Sequence, residues 1–445
     1  MPDEKKTISE EITSLFGQRQ MLQDWMDIEA VLAKCQADMG IIPEQAAVDI
    51  ASKADISNID MSRYQRMYLE VKHPLVPLLK LFQEAAGPSG EYLHFGATTH
   101  DIVDIAKLVA LRKVWDITER ALLEILEDVS ALVERHARTM MAGRSHNVQA
   151  IPITFGFKAA VWADEIYRSI QRLRESRGRV FVVSFSGANG TMASFEGRGA
   201  ELEARIAEAY ALSVPDVSWH PARDRIAEIA CVFAIIGGTL GRIAQEVYML
   251  MATEIGELSE GYREGIVGSS TMPHKLNPTN SQHIMGDSRT LRYCAAQCIE
   301  CMSIDHEHNL VHFDDERTTC ERIGLTMADL LQRSKELIGT LYVDEKRMLR
   351  NLGILQGVLL SENVMLELGK RIGKMTAKDI ITELSVRSLQ QELLFSDVLK
   401  SDPRVSAALT GPEIDALLDP KPYAEPAAEM ALDYLEKLKR KTGES

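Results

Sequence analysis

From residue 221 onward the apolar residues fall at spacings of three and four: Ile226, Ile229, Phe233, Ile236, Leu240, Ile243, Val247 and Leu250. That is the a/d seam of a packed helix, sustained over several heptads. Val232, Ile235 and Ile255 widen the apolar surface beyond one seam, and Gly237, Gly238 and Gly241 leave room for a neighbouring backbone. The pattern predicts a helix from 221 to about 258, roughly 55 Å long at 1.5 Å per residue. A helix with so much apolar surface needs a bundle to bury it, one shared between subunits. The same period predicts further helices. Leu108, Leu111, Trp115, Leu122, Ile125, Val129 and Val133 share one face of a long helix that starts near Thr98. Others run from 155 to about 177, from 281 to 301 and from 318 to 341.

The flanking regions are also helical. Before residue 110, Met21, Leu22, Trp25, Met26, Ile28, Val31 and Leu32 mark a face that ends near Gly40, and another helix lies around 77–82. His73, just before it, is read as a packing or capping residue. After 357, helices are expected around 362–372, 376–394 and 412–418, followed by a charged tail read as solvated. The chain therefore divides into an N-terminal helical domain (1–110), a central long-helix domain (111–356) and a C-terminal helical domain (357–445), an all-α fold. Val180 to Val183 reads as a short extended piece, and Ser186-Gly187-Ala188-Asn189-Gly190-Thr191 as a glycine turn. That turn lacks the glycine spacing of a dinucleotide fingerprint, which excludes a Rossmann reading.

Composition narrows the class. At 445 residues, 45% hydrophobic and 26% charged, the chain is that of an ordinary soluble protein with a substantial core. A formal charge of −15 disfavours nucleic acid and anionic membrane as partners, so an anionic substrate requires a locally basic pocket. The N-terminus has no apolar signal segment, and no run of about 18 apolar residues suggests a membrane span, so the expected location is the cytosol. Six cysteines are too sparse for a disulfide framework. Cys294, Cys298 and Cys301 stand at i, i+4, i+7 ahead of His306 and His308, the spacing of a buried stripe rather than of a metal site.

Candidate chemistry sits in three polar stretches. Gly265-Ile266-Val267-Gly268-Ser269-Ser270-Thr271-Met272-Pro273-His274-Lys275-Leu276-Asn277-Pro278 combines glycines and prolines with hydroxyls, an imidazole, a cation and an amide. By composition alone it is a surface connection; by its residue types it can bind a carboxylate and move a proton. His94-Phe95-Gly96-Ala97-Thr98-Thr99-His100-Asp101 contains the Thr-x-x-acid spacing of a capping box, and a helix N-terminus with free amides also cradles carboxylates. Gly143-Arg144-Ser145-His146-Asn147 is a polar loop leading toward the helix at 155. Further on, Arg322 and the threonines before it are set either to bind an anion or to form exposed salt bridges.

The order Gly-Ser-Ser-X-Met-Pro-X-Lys-X-Asn-Pro from Gly268 to Pro278 resembles the defining loop of the fumarase/aspartase superfamily, in eight fixed positions of eleven. The Gly96-Ala97-Thr98 motif resembles its adenylosuccinate lyase and carboxymuconate cycloisomerase branches. Gly143-Arg144-Ser145-His146 resembles the lyases' Gly-Arg-Thr-His segment. The resemblance extends from Phe16 to about Tyr423. It implies a mainly helical three-domain fold, a homotetramer with twenty central helices, and active sites built from motifs of three subunits. It also implies a small-molecule dicarboxylate as substrate and neither metal nor organic cofactor, because a substrate carboxylate is itself the electron sink.

Carried over to this chain, Ser269 is the base that removes a proton next to a carboxylate, activated by the amides and charge of the closed loop. Lys275 and Asn277 hold the carboxylate that stabilises the carbanion, with Ser270 beside them. Thr98 and Thr99 bind another carboxylate oxygen, and His146 protonates the leaving group. Arg322 and Arg19 are further candidate substrate contacts.

Three departures bear on substrate. The Arg-Tyr pair that holds nucleotide phosphate in adenylosuccinate lyases is here Phe16-Gly17-Gln18-Arg19. The Lys/Arg-His-Asp element is Lys72-His73-Pro74, and the acid that partners the catalytic histidine is Gln282. Trp219-His220-Pro221-Ala222-Arg223-Asp224-Arg225 resembles the cycloisomerases, which carry Trp in place of His146. The first expectation is thus a C–N lyase releasing fumarate from a succinyl-amine. The alternatives are a carboxymuconate-type cycloisomerase and a non-catalytic helical scaffold.

Overall fold

The computed structural model describes residues 6–261, 272 and 275–443. Among them helices dominate, with two small antiparallel two-stranded sheets, Met140–Ser145 with Val148–Thr154 and Leu258–Ser259 with Tyr342–Val343. Five helices are long: Thr99–Arg135, Phe155–Val180, Asp224–Leu250, Thr279–Glu300 and Leu310–Gly339. The chain forms two compact units. One comprises Met1–Leu123, Arg168–Gly241 and His283–Ser334, the other Glu124–Tyr167, Arg242–Gln282 and Lys335–Ser445. Each long helix gives part of its length to each unit, so this division follows packing and differs from the expected one, which cut the chain near 110 and 357.

In the first unit the seam of the Asp224–Leu250 helix is buried as its spacing demands, from Ile226 to Leu240. Phe233 meets the edge of Trp115 at 5.2 Å between centroids, and the Trp115 indole donates to the Leu173 carbonyl at 3.1 Å. Gly237 and Gly241 serve close approach: an added Cβ would stand 2.7 Å from Leu291 Cδ1 and 2.5 Å from Ser288 Oγ, both on the Thr279–Glu300 helix. Cys294, Cys298 and Cys301 are buried, as the stripe reading expected.

Three sequence expectations are corrected. The long helix starts at Asp224 and ends at Leu250 instead of spanning 221–258, which shortens it to about 40 Å. Its last residues give way to turns, with Gly256 at φ 60°, and Arg347 caps the carbonyls of Ile255 (3.0 Å) and Thr253 (2.8 Å). This helix also has the length and apolarity of a membrane span (mean hydropathy 1.7), yet 61% of that window is buried within the fold, as in a core helix. The charged tail is a helix, Pro420–Thr442, whose Ala424, Ala428, Ala431, Leu435 and Leu438 form a buried stripe. Small alanines carry that stripe, so hydropathy alone hides it. Third, the loop expected around His146 is a β-hairpin.

Candidate active site

Thr98 and Thr99 stand at the start of the Thr99–Arg135 helix, in the first unit. Asp101 organises this end. Its fully buried carboxylate accepts from the backbone N–H groups of Thr98 (2.8 Å), Ser186 (2.8 Å) and Gly187 (3.1 Å), and pairs with His220 Nε2 at 3.2 Å. The first of these bonds is the acid-to-cap half of the capping box read from the sequence. The other two bring the Ser186–Thr191 turn to the same place, where Ser194 Oγ donates to the Gly96 carbonyl at 3.1 Å. Behind Thr99, His100 is buried against Phe313 and His308, with ring centroids at 4.2 and 4.5 Å. Burial pushes its pKa down to about 4, Asp104 opposing, while His308, His220 and Arg223 push the same way as burial.

His146 belongs to the second unit and occupies the tip of the hairpin. Ser145 pairs with Val148, which leaves His146 and Asn147 as a two-residue loop with φ of 51° and 64°. Two positive φ values are what a type I′ turn requires, and asparagine accepts them readily. The imidazole is exposed. One residue pair below, the Arg144 guanidinium makes two parallel bonds to Glu257, at 2.8 and 2.6 Å. Glu257 is fully buried, and Asn351 Nδ2 donates to it at 2.7 Å and to the Ile255 carbonyl at 2.9 Å. Gln149, opposite Arg144 in the hairpin register, donates to the Asn351 carbonyl at 3.0 Å. The imidazole thus rides on a turn held by a bidentate ion pair between partly buried Arg144 and fully buried Glu257.

Ser269 and Ser270, with Thr271, Pro273 and His274 of the same motif, lie outside the described residues. Glu260 holds the point where the loop departs from the strand to the helix where it ends. Its carboxylate accepts from Asn280 N (3.0 Å), Ser281 N (2.7 Å) and Ser281 Oγ (2.7 Å), a favourable position for negative charge at a helix N-terminus. Lys275 is exposed and Asn277 half-buried just before that helix. Gln282 lies in its first turn with its side chain exposed, and its N–H donates to the Pro278 carbonyl at 3.0 Å.

Arg19 and Arg322 belong to the first unit, and both are exposed. Arg322 lines a shallow hollow with Asp287, Thr318 and Asp329, an acidic setting for a residue expected to hold an anion. His73 half-buries its ring and accepts from Val76 N at 3.3 Å, which agrees with the capping reading; burial lowers its pKa. Thr98 and Thr99 are thus brought together with the glycine turn in one unit, and His146, Lys275, Asn277 and Gln282 belong to the other.

Comparison with known proteins bears out the resemblance. A lyase family profile matches residues 4–291, and a profile for the adenylosuccinate lyase C-terminus matches 357–433. The chain belongs to the fumarase/aspartase superfamily. It is 38% identical to a protein of Dickeya dadantii (strain 3937) named N-acetyl-S-(2-succino)cysteine lyase, over 93% of this chain and 91% of that one. It is 35% identical to a 3-carboxy-cis,cis-muconate cycloisomerase of Pseudomonas aeruginosa, over 92% and 90%. A solved fumarate lyase from Mesorhizobium sp. BNC1 superposes with a TM-score of 0.89 at 32% identity, covering 98% of this chain and 100% of that one.

For a superfamily lyase, the Trp219–Arg225 stretch then takes on a different meaning. Trp219, His220 and Arg223 are buried. Arg223 binds both oxygens of Asp104 (2.8 and 2.9 Å) and reaches Glu316 (2.9 Å), and Lys107 joins the same two carboxylates. Two cations and two anions close a neutral buried network, which holds the Asp104 carboxyl well below its ordinary range despite burial, chiefly through Arg223. The segment that resembles the cycloisomerases, a likeness the comparison with the Pseudomonas aeruginosa protein supports, also braces the fold through this network. Sequence reasoning missed Glu257, Asn351 and Glu260. Their partners are mostly about 90 residues or more away, or on the far side of a long loop, and no local pattern announces them.

Proposed function

We propose that this lyase releases fumarate from a succinyl thioether, R–S–CH(COO⁻)–CH₂–COO⁻. In this reading Ser269 takes a proton from the CH₂ carbon, and that C–H pair becomes the C=C bond of fumarate. The C–S pair leaves with sulfur, and His146 protonates the thiolate. Lys275, Asn277 and Ser270 hold the carboxylate that stores charge in the carbanion, and Thr98 and Thr99 hold the other. Motifs from neighbouring subunits of a homotetramer complete the site.

The similarity to a lyase named for a succinocysteine substrate carries the choice of sulfur over nitrogen. Local chemistry supports it. A thiol has a pKa near 8.5 and leaves without full protonation, while an amine needs a strong proton donor. Gln282 takes the place of the acid that would charge such a donor, and His146 has no carboxylate partner among the described residues. His146 itself favours the second reading, C–N cleavage of a succinyl-amine, since amine departure is what demands an acid.

Fumarate appearance tests the proposal. Purified protein is given S-(2-succinyl)-N-acetylcysteine, adenylosuccinate, argininosuccinate, aspartate and carboxymuconate. Fastest turnover is expected with the thioether; fumarate from adenylosuccinate alone transfers the assignment to C–N cleavage. Ser269→Ala is expected to abolish turnover while substrate still binds, and near-normal kcat in that variant would remove Ser269 from its role.

A further inference from the structure

The first unit holds a cavity of about 320 Å³, within the size range of small-molecule pockets (about 300–1,000 Å³). One wall is aromatic. Tyr64 and Tyr68 stack at 6.3 Å with an interplanar angle of 11°, and Tyr64, its phenol pushed up to about 12 by burial, donates to the Pro74 carbonyl at 3.1 Å. Phe16 faces the same space and is seated against Gly324, where an added Cβ would stand 2.1 Å from the ring. These positions include two of the three departures noted in the sequence: Phe16-Gly17 in place of the phosphate-binding pair, and Lys72 without the following acid.

The floor of the cavity is the Thr99–Arg135 helix. Val103, Ala106 and Ala110 line it, at i+4, i+7 and i+11 from Thr99. Thr99 and these lining residues therefore share one helix face, and Val103, the lining residue of this helix nearest to Thr99, lies about one turn, roughly 6 Å, beyond it. A substrate whose carboxylate sat at Thr98 and Thr99 would reach the cavity along that face.

Charge decides what that half is. Three basic side chains (Lys72, Lys107, Arg317) and three acidic ones (Asp24, Asp314, Glu321) line the cavity. Lys107 is committed to Asp104 and Glu316. A phosphate of nearly two negative charges would meet more carboxylates than free cations. Arg317 is different. Its Nε is buried without a hydrogen-bond acceptor, 3.6 Å from Asp314, and Nη1 faces Met21 Sδ at 3.7 Å. One carboxylate satisfies that edge, and the aromatic wall suits an uncharged cap.

Resting on the thioether reading, we infer that this cavity receives the thiol-bearing half of the substrate. It selects an N-acylated amino acid thiol with an apolar or aromatic acyl group, its carboxylate on Arg317, over a nucleotide-bearing thiol or a bare zwitterion. The test compares kcat/KM for S-(2-succinyl) conjugates of N-benzoylcysteine, N-acetylcysteine, cysteine and coenzyme A. The benzoyl conjugate is expected at least ten-fold above cysteine, with coenzyme A lowest. Arg317→Gln is expected to raise KM about ten-fold for the N-acylcysteine conjugates and to leave that of N-acetylcysteamine, which lacks the carboxylate, unchanged. Phe16→Ala is expected to erase the benzoyl-over-acetyl preference. Equal kcat/KM across the conjugates, or variants that slow all of them alike, overturns the inference while the thioether reading stands. If no thioether releases fumarate, that reading falls, and calorimetry with free N-benzoylcysteine then decides the cavity: loss of binding in Arg317→Gln upholds it, and equal or absent binding in the two proteins removes it.

Discussion

The threonine end of the Thr99–Arg135 helix and the His146 hairpin solve the same problem by different means. Each presents polar side chains at a tip and places a fully buried acid beneath them, Asp101 in one unit and Glu257 in the other. Asp101 is satisfied largely by backbone N–H groups, whereas Glu257 is satisfied by a guanidinium and an amide on distant segments. Uncharged donors tolerate loss of the acceptor better than a partly buried cation does. The hairpin tip is therefore the more brittle of the two, and the threonine tip the more sensitive to pH.

The largest effect tests the brittle side. Glu257→Ala strands Arg144 and should cost about 3–5 kcal/mol in urea unfolding. Replacing both partners, Arg144→Met with Glu257→Leu, should recover much of that loss, and a double variant as weak as the single one would contradict the ion-pair account. Acid should act on the other tip. His100 has a folded pKa near 4 against about 6.5 unfolded, so the unfolded chain binds the proton first as pH falls. Stability present above about 6.5 is then lost between 6.5 and 4, on the order of 2 to 3 kcal/mol. Amide exchange at residues 98–104 should quicken over that range in wild type and not in His100→Phe, while the hairpin amides stay unchanged.

Asp101→Asn should cost less, about 1–3 kcal/mol, because one carbonyl oxygen remains for three N–H donors. Its mark would be faster exchange at Ser186 and Gly187 with Arg144 undisturbed. The smallest stability change, under about 0.5 kcal/mol, is expected for His146→Asn, since asparagine suits the turn. Its kinetic effect should depend on the leaving group, roughly 100-fold or more for an amine and nearer 10-fold for a thiolate. Equal losses for both would argue against proton donation by this residue.

The helices were legible because large apolar residues repeat at three and four, as in Ile226 to Leu250. The C-terminal helix was not, because three of the five residues in its buried stripe are alanines. The hairpin escaped notice for another reason: Val148 to Thr154 alternates poorly, with Ala150 and Ile151 both exposed and a register shift between Ala142 and Arg144. Among the candidate site residues, Thr98, Thr99, His146, Lys275 and Asn277 could be suggested from motif order, and Asp101 from capping spacing. Glu257 and Glu260 could not, since each acts through contacts made only after the chain has folded back.

The backbone at position 146 also constrains how this scaffold could change trades. A left-handed residue is tolerated by His or Asn at modest expense, but a bulky indole there costs about 1–2 kcal/mol before any contact is considered. A tryptophan installed there, as the resembling cycloisomerases carry, would thus begin with a backbone penalty that a change in the bend would relieve.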